Sequence, residues 1–188
     1  MDCGVKKNNQ NSGRLHIYTG EGKGKTTAAL GLALRAVGSG LQVLFLQFFK
    51  PEADPSGEKD FFREHSKNIE FLRSTSRHPF FTGKKTDKEK VRVSVKQLFD
   101  QAKEKIFSKE KKIDLIVFDE ILGAFGDNFL ELDEVEKFLD ERPKGLEVVL
   151  TGRDAPVELV RSADYVTEML KIKHPFDSGV KARRGIEY

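Results

Sequence analysis

Thr19-Gly20-Glu21-Gly22-Lys23-Gly24-Lys25-Thr26-Thr27 is the stretch that decides the fold. The strand-like run Leu15-His16-Ile17-Tyr18 leads into it, and the helix-like run from Ala28 to Val37 leads away. Strand, glycine-rich loop, Lys-Thr and helix in that order describe a phosphate cradle. Glycines at 20, 22 and 24 tolerate the dihedrals that turn backbone N–H groups inward onto an anion. The helix N-terminus adds partial positive charge and unpaired donors. Lys25 supplies a full charge, and the Thr26 hydroxyl is placed for Mg²⁺. Gly20, Glu21, Gly22, Lys23, Gly24, Lys25, Thr26 and Thr27 are therefore the candidate phosphate-binding residues. A standard P-loop opens on glycine, whereas this one opens on Thr19, so its opening turn must differ. The dinucleotide fingerprint G-x-G-x-x-G is not matched, because Lys25 stands where its third glycine would be, and the next strand ends in Gln47-Phe48 rather than in an acid that would grip a ribose.

The rest of the chain repeats the same strand–helix alternation. Apolar runs predict strands at 14–19, 41–48, 68–73, 113–119, 146–151 and 164–171. Val43-Leu44-Phe45-Leu46 and Leu115-Ile116-Val117-Phe118 are consecutive rather than alternating, as befits strands covered on both faces of a parallel sheet. Amphipathic stretches predict helices near 25–38, 57–66, 87–109, 132–141 and 155–162. Thr86-Asp87-Lys88-Glu89 reads as a capping box opening the longest of them. The fold class that follows is α/β: a mostly parallel central sheet of about six strands, flanked by helices, in a P-loop (RecA-like) nucleotide-binding architecture. Residues 1–13, rich in Asn, Lys, Ser and Gly, read as a flexible tail carrying the single cysteine, Cys3, and residues 14–188 as a single domain.

Composition narrows the function classes. A chain of 188 residues with 38% hydrophobic and 34% charged content is globular with a heavily charged surface. A net charge of +3 is too small to argue for nucleic acid. No apolar run approaches a membrane span, and the expectation is no membrane and no nucleic-acid partner. One cysteine and no apolar leader fit a cytoplasmic location.

A second chemical element is Asp114-Leu115-Ile116-Val117-Phe118-Asp119-Glu120, an apolar strand ending in an acidic pair. Beside a P-loop, one such carboxylate binds Mg²⁺ directly or through water. Asp119 and Glu120 both qualify, since adjacent strand residues point to opposite faces. Arg153, after the strand ending at Thr151, is placed to lie over phosphates, or else is an exposed loop arginine. The loops at 51–56 and 74–85 follow strands, where open α/β sheets form their ligand crevice. Phe80 and Phe81 either present aromatic faces to a flat ligand or cover a core edge.

Together these pieces resemble the P-loop ATP:corrinoid adenosyltransferases, also called cob(I)alamin or cob(I)yrinic acid a,c-diamide adenosyltransferases. The resemblance runs from about Arg14 to Tyr188. It is carried by Thr19 to Ala29, Arg35-Ala36-Val37-Gly38, Gln47-Phe48 with Lys50, Phe118-Asp119-Glu120, Glu141-Arg142-Pro143, Thr151-Gly152-Arg153, Ala163-Asp164 and the string Lys173-His174-Pro175-Phe176-Asp177-Ser178-Gly179-Val180-Lys181-Ala182. That family also opens its loop on threonine.

The resemblance implies transfer of the 5′-deoxyadenosyl group of ATP to the cobalt of a reduced corrinoid, with release of triphosphate, in adenosylcobalamin biosynthesis or salvage. It implies Mg²⁺, with Thr26, Asp119 and Glu120 as metal residues and Glu120 joining Lys25 and Thr26 as catalytic. It also implies a flavoprotein reductase as partner and a homodimer. The absence of any Ser-His or Cys-His pair agrees with a reaction whose nucleophile is the cofactor. The family's corrinoid-facing loop often carries Phe-Thr-Trp. This chain has no tryptophan, and the corresponding stretch is His78-Pro79-Phe80-Phe81. Its His78, Phe80 and Phe81 are the candidate corrinoid residues. The alternatives are an ordinary P-loop kinase or nucleotidase, which acts on the γ-phosphate, and a binding protein without turnover.

Overall fold

A computed structural model describes residues 12–79, 87–108 and 110–187. The expected tail, with Cys3, therefore falls almost wholly outside the described residues, as do Phe80, Phe81 and Thr86. Six strands are present: β1 (Leu15–Thr19), β2 (Val43–Gln47), β3 (Ile69–Arg73), β4 (Leu115–Asp119), β5 (Glu147–Thr151) and β6 (Tyr165–Glu168). Among the described residues the helices are α1 (Lys25–Gly38), α2 (Gly57–His65), α3 (Lys88–Phe107), α4 (Gly123–Gly126), α5 (Leu132–Glu141) and α6 (Val157–Ser162). A 3₁₀ turn follows at Pro175–Ser178.

The strands form one sheet in the order β3-β2-β4-β5-β1-β6, and every pairing is parallel. The acid-tipped strand β4 is thus one strand removed from the loop-bearing β1, with β5 between them. Parallel pairing requires a crossover for each connection, and the amphipathic stretches between strands supply it. Alternate residues of each central strand serve opposite cores. Leu44, Leu46, Ile116, Phe118, Val148 and Leu150 join α3 and α5 on one face. Val43, Phe45, Leu115, Val117 and Val149 join α1 and α2 on the other. This double coverage is why the strands read as unbroken apolar runs.

The two faces are built differently. On one, α3 presents Val91, Val95, Leu98, Phe99, Ala102 and Ile106, a helical stripe of bulky side chains. Phe99, Phe118 and Phe138 meet there with ring centroids 5.5–5.8 Å apart. On the other, α1 presents Ala29, Ala33 and Ala36, so its backbone lies close to the sheet. That close approach sets the height of the helix N-terminus above the strand ends, and with it the position of Lys25 and Thr26.

Boundaries differ from expectation in instructive ways. The cap of α3 is Asp87, which accepts from the amides of Glu89 and Lys90, rather than Thr86. Strand β6 stops at Glu168, short of residue 171, because Met169 leaves the ladder to contact the loop after β1. All four β6 residues are exposed, so this edge strand lacks the two-faced burial of the others. Helix α4 is a single turn too short to show a period in the sequence.

Ala33 is fully buried against the sheet. Ala33→Leu forces three extra carbon atoms into that contact, which costs about 1–3 kcal/mol by overpacking. Thermal unfolding is expected to shift down by several degrees, and nucleotide affinity is expected to fall as α1 is lifted.

Candidate functional site

The carboxyl ends of β1, β2, β4 and β5 meet at one rim of the sheet, and the loop from Gly20 to Gly24 closes over it. The path of the loop is fixed from behind by Met169. Met169 N–H donates to the Thr19 carbonyl at 2.8 Å, and Gly22 N–H donates to the Met169 carbonyl at 2.6 Å. A Cβ at Gly20 would lie 2.6 Å from the Met169 carbonyl oxygen, and one at Gly22 would lie equally close. Gly20 and Gly24 also have φ of 99° and 126°, open only to glycine. These constraints explain the glycine spacing without reference to any ligand.

Inside the loop Lys25 is buried, 7% exposed, and its Nζ donates to the carbonyls of Gly20 at 2.6 Å and Gly22 at 3.0 Å. Burial lowers its pKa; Glu120 nearby opposes the shift and Arg153 reinforces it. Lys25, Thr26 and Thr27 line a cleft of about 540 Å³ together with Glu21 to Gly24, Leu30, Lys50, Glu58, Glu120, Arg153 and His174. Every expected nucleotide residue except Gly20 thus borders one cavity, and Gly20 lies beneath it as an acceptor for Lys25.

The acidic pair separates into two roles. Asp119, the last residue of β4, is 3% exposed. Thr151 donates its hydroxyl to Asp119 Oδ1 at 2.8 Å, and Gln47 donates to Oδ2 at 3.4 Å. Burial raises the Asp119 pKa, and hydrogen bonds from Thr151, Thr26 and Gln47 counter it. Glu120 has a left-handed backbone, φ 66°, unusual for a residue other than glycine. That conformation carries it off the strand, and its amide donates to the Thr151 oxygen at 2.9 Å. Its carboxyl borders the cleft, where burial and the Asp119 charge raise its pKa and Lys25 and Arg153 lower it. Asp119 therefore lies beneath Thr26, while Glu120 faces the cavity. Arg153, an exposed loop arginine, pairs with Glu21 of the glycine-rich loop at 2.8 Å.

Four residues outside the candidate site set support the cleft, and two of them, Lys50 and Glu58, line it. Gln47 is fully buried at the end of β2. Its oxygen accepts from Arg73 Nε at 2.8 Å, and its nitrogen also donates to Glu58 at 3.3 Å. Lys50 donates to Glu58 at 3.0 Å. Arg73 also donates to the carbonyls of Asp54 and Pro51, which pins the loop expected to touch substrate. The sequence offered polar residues at the tips of apolar strands as a signal for Gln47 and Arg73, but Gln47 meets Arg73 across 26 positions and Asp119 across 72.

His78 lies apart from the residues that line the cleft. Its ring meets Phe49 edge-on at 4.7 Å and Phe129 at 6.1 Å, and its Nε2 is 4.0 Å from Asp127. Phe49, like Glu120, has a left-handed backbone just past a strand end, φ 57°. Phe80 and Phe81 lie outside the described residues.

Burial works to raise the Glu58 carboxyl. Hydrogen bonds from its own amide and the Ser56 hydroxyl, with the Lys50 charge, outweigh burial and pull it down to about 2. A carboxylate so depressed favours the folded state above its ordinary value of 4.5, and that contribution fades as pH falls towards about 2. Glu58→Gln is expected to flatten the fall in stability between pH 4.5 and 2.5. Urea unfolding of both proteins across that window measures it.

Comparison with known proteins fits this geometry. The family model described as ATP:corrinoid adenosyltransferase BtuR/CobO/CobP matches residues 11–188. A corrinoid adenosyltransferase of Escherichia coli (strain K12) is 34% identical over all 188 residues, covering 92% of that protein. One from Salmonella typhimurium is 33% identical with the same coverage. One from Pseudomonas aeruginosa is 34% identical over 179 residues, 94% of this chain and 84% of that protein. A threonine-opened phosphate loop, an acidic pair one strand away and a match along nearly the whole length lead to one conclusion: the chain belongs to the ATP:corrinoid adenosyltransferase family.

Proposed function

We propose that this chain transfers the 5′-deoxyadenosyl group of ATP to the cobalt of a reduced, cob(I) corrinoid and releases triphosphate, in the synthesis or salvage of adenosylcobalamin. The observation that carries the reading is the cleft at residues 21–27. It combines the glycine-rich loop, a buried lysine and the Glu120 carboxylate in a chain that belongs to this family. Cobalt supplies the electron pair, the cobalt–carbon bond forms at C5′, and the C5′–oxygen bond breaks with its electrons going to triphosphate. No side chain need act as nucleophile. The protein's task is to align C5′ with cobalt and to stabilise charge on the leaving group.

In this reading Gly20 to Thr27 cradle the triphosphate and Lys25 is its main counter-charge. A polyphosphate offers Lys25 charged acceptors in place of the Gly20 and Gly22 carbonyls. Arg153 turns from Glu21 to the same anion. The Thr26 hydroxyl, Asp119 and Glu120 form an all-oxygen donor set, which suits Mg²⁺. When bound, Mg²⁺ would neutralise charge on the triphosphate. Asp119, already hydrogen-bonded to Thr26, would orient that hydroxyl, and Glu120 would present its carboxylate from the cleft side.

His78, Phe80 and Phe81 are assigned to the corrinoid. The aromatic contacts of His78 with Phe49 and Phe129 support an apolar surface on that side. We read residues 14–188 as one catalytic domain acting in the cytoplasm as a homodimer, with electrons from a flavoprotein reductase. No described helix is long and apolar enough to cross a membrane.

ATP, Mg²⁺ and chemically reduced cobalamin, mixed anaerobically with the protein, are expected to give a light-sensitive alkylcobalamin and free triphosphate. Release of γ-phosphate without any corrinoid, and no cobalt–carbon bond, would instead mark a kinase or nucleotidase. Lys25→Ala is expected to lose about 1.5–3 kcal/mol of charge-assisted contact to polyphosphate, a roughly ten- to hundredfold weaker interaction with ATP. Calorimetric titration with Mg-ATP measures that loss directly.

A further inference from the structure

His174 carries no role in the residues assigned so far, yet it borders the same cleft as Lys25, Lys50 and Arg153. It arrives there from a segment about 150 positions away in sequence. Its orientation is set by its own turn. The Phe176 amide donates to His174 Nδ1 at 3.1 Å, so His174 caps the 3₁₀ turn Pro175–Ser178. The turn is braced by Gly179, whose N–H donates to the Phe176 carbonyl at 2.9 Å with φ 76°, and by the Lys171–Asp177 ion pair at 3.1 Å.

A ring nitrogen that accepts a hydrogen bond carries no proton. The neutral ring must then hold its proton on Nε2, which becomes a donor. Since Nδ1 is turned to its own backbone, the Nε2 edge is the one left to the cavity that the residue lines. Three of the cleft's cationic groups already have protein acceptors: Lys25 on two carbonyls, Lys50 on Glu58 and Arg153 on Glu21. Nearby Glu187 has its carboxylate taken by the backbone and guanidinium of Arg183. A preset N–H donor among cations in a cavity bordered by the glycine-rich loop suits an anionic oxygen, and its fixed rotamer keeps the ordering cost low.

We infer that His174 is a ligand of the polyphosphate, donating from Nε2 across the cleft from the glycine-rich loop. This inference rests on the reading of the cleft as a triphosphate site. Two amide substitutions divide the roles of the ring. Asparagine reproduces the Nδ1 acceptor that caps the turn but has nothing at the Nε2 position. Glutamine places an amide nitrogen near Nε2 but gives up the cap.

The test titrates the full chain with Mg²⁺ and inorganic triphosphate by calorimetry, and measures KM for ATP and kcat in the adenosylation assay. His174→Asn is expected to bind triphosphate about tenfold more weakly and to raise KM for ATP by the same factor, with kcat changed little. His174→Gln is expected to stay within about twofold of the parent in both. Parental affinity in His174→Asn overturns the inference, since the cap is then all that matters. Equal losses in the two variants also overturn it. Lys25→Ala serves as the reference. If parent and Lys25→Ala bind triphosphate alike, the triphosphate reading itself has failed and the inference goes with it. If Lys25→Ala is weakened and His174→Asn is not, only the inference has failed.

Discussion

The burial of Asp119 is the constraint around which the rest of the site is arranged. A carboxylate at 3% exposure has lost nearly all contact with water and must find donors in the protein. It finds three, from three different elements: Thr151 at the end of β5, Gln47 at the end of β2 and Thr26 in the first turn of α1. Removing any one of them leaves a buried oxygen short of a partner. The carboxylate therefore fixes the relative height of two neighbouring strands and of the helix that follows the loop. Gln47 extends the constraint outward, because Arg73 and Glu58 are hydrogen-bonded to its amide. Through them, the loop at 51–56 and the first turn of α2 are tied to the same point.

Strain is concentrated at the same rim. Glu120, directly after β4, and Phe49, two residues past β2, both take left-handed backbone. Such conformations are costly for residues with a Cβ and persist where surrounding contacts over-determine them. For Glu120 the over-determining contact is the hydrogen bond to Thr151, the hydroxyl that also holds Asp119. One threonine thus separates two adjacent carboxylates into a buried one and one that faces the cleft. Sequence spacing could not make that division, because it depends on a backbone angle.

Much of the architecture was legible because its causes are local. Consecutive apolar residues at 43–46 and 115–118 announced strands covered on both faces, and both lie in the middle of the sheet. The glycine loop announced itself by chemistry. What the sequence concealed depends on distance along the chain. His174 stands in the sequence only as part of a family string, yet the fold carries it to the cleft. Gln47 reads as the absence of an acid, yet it is the hub of the polar network. Arg73 and Glu58 carry no motif, and only the pairing of β2 with β3 and the placement of α2 bring them together.

The clasp between Met169 and the glycine loop bears on how the protein is made. Strand β1 emerges from the ribosome early, but its neighbours β5 and β6 are synthesised more than a hundred residues later. Contacts of such high sequence separation form late, because a long stretch of chain must be ordered before they are rewarded. The anion cradle therefore cannot acquire its shape in a nascent chain that lacks the β6 region. Closure of the loop into this shape waits on the synthesis of the region around Met169.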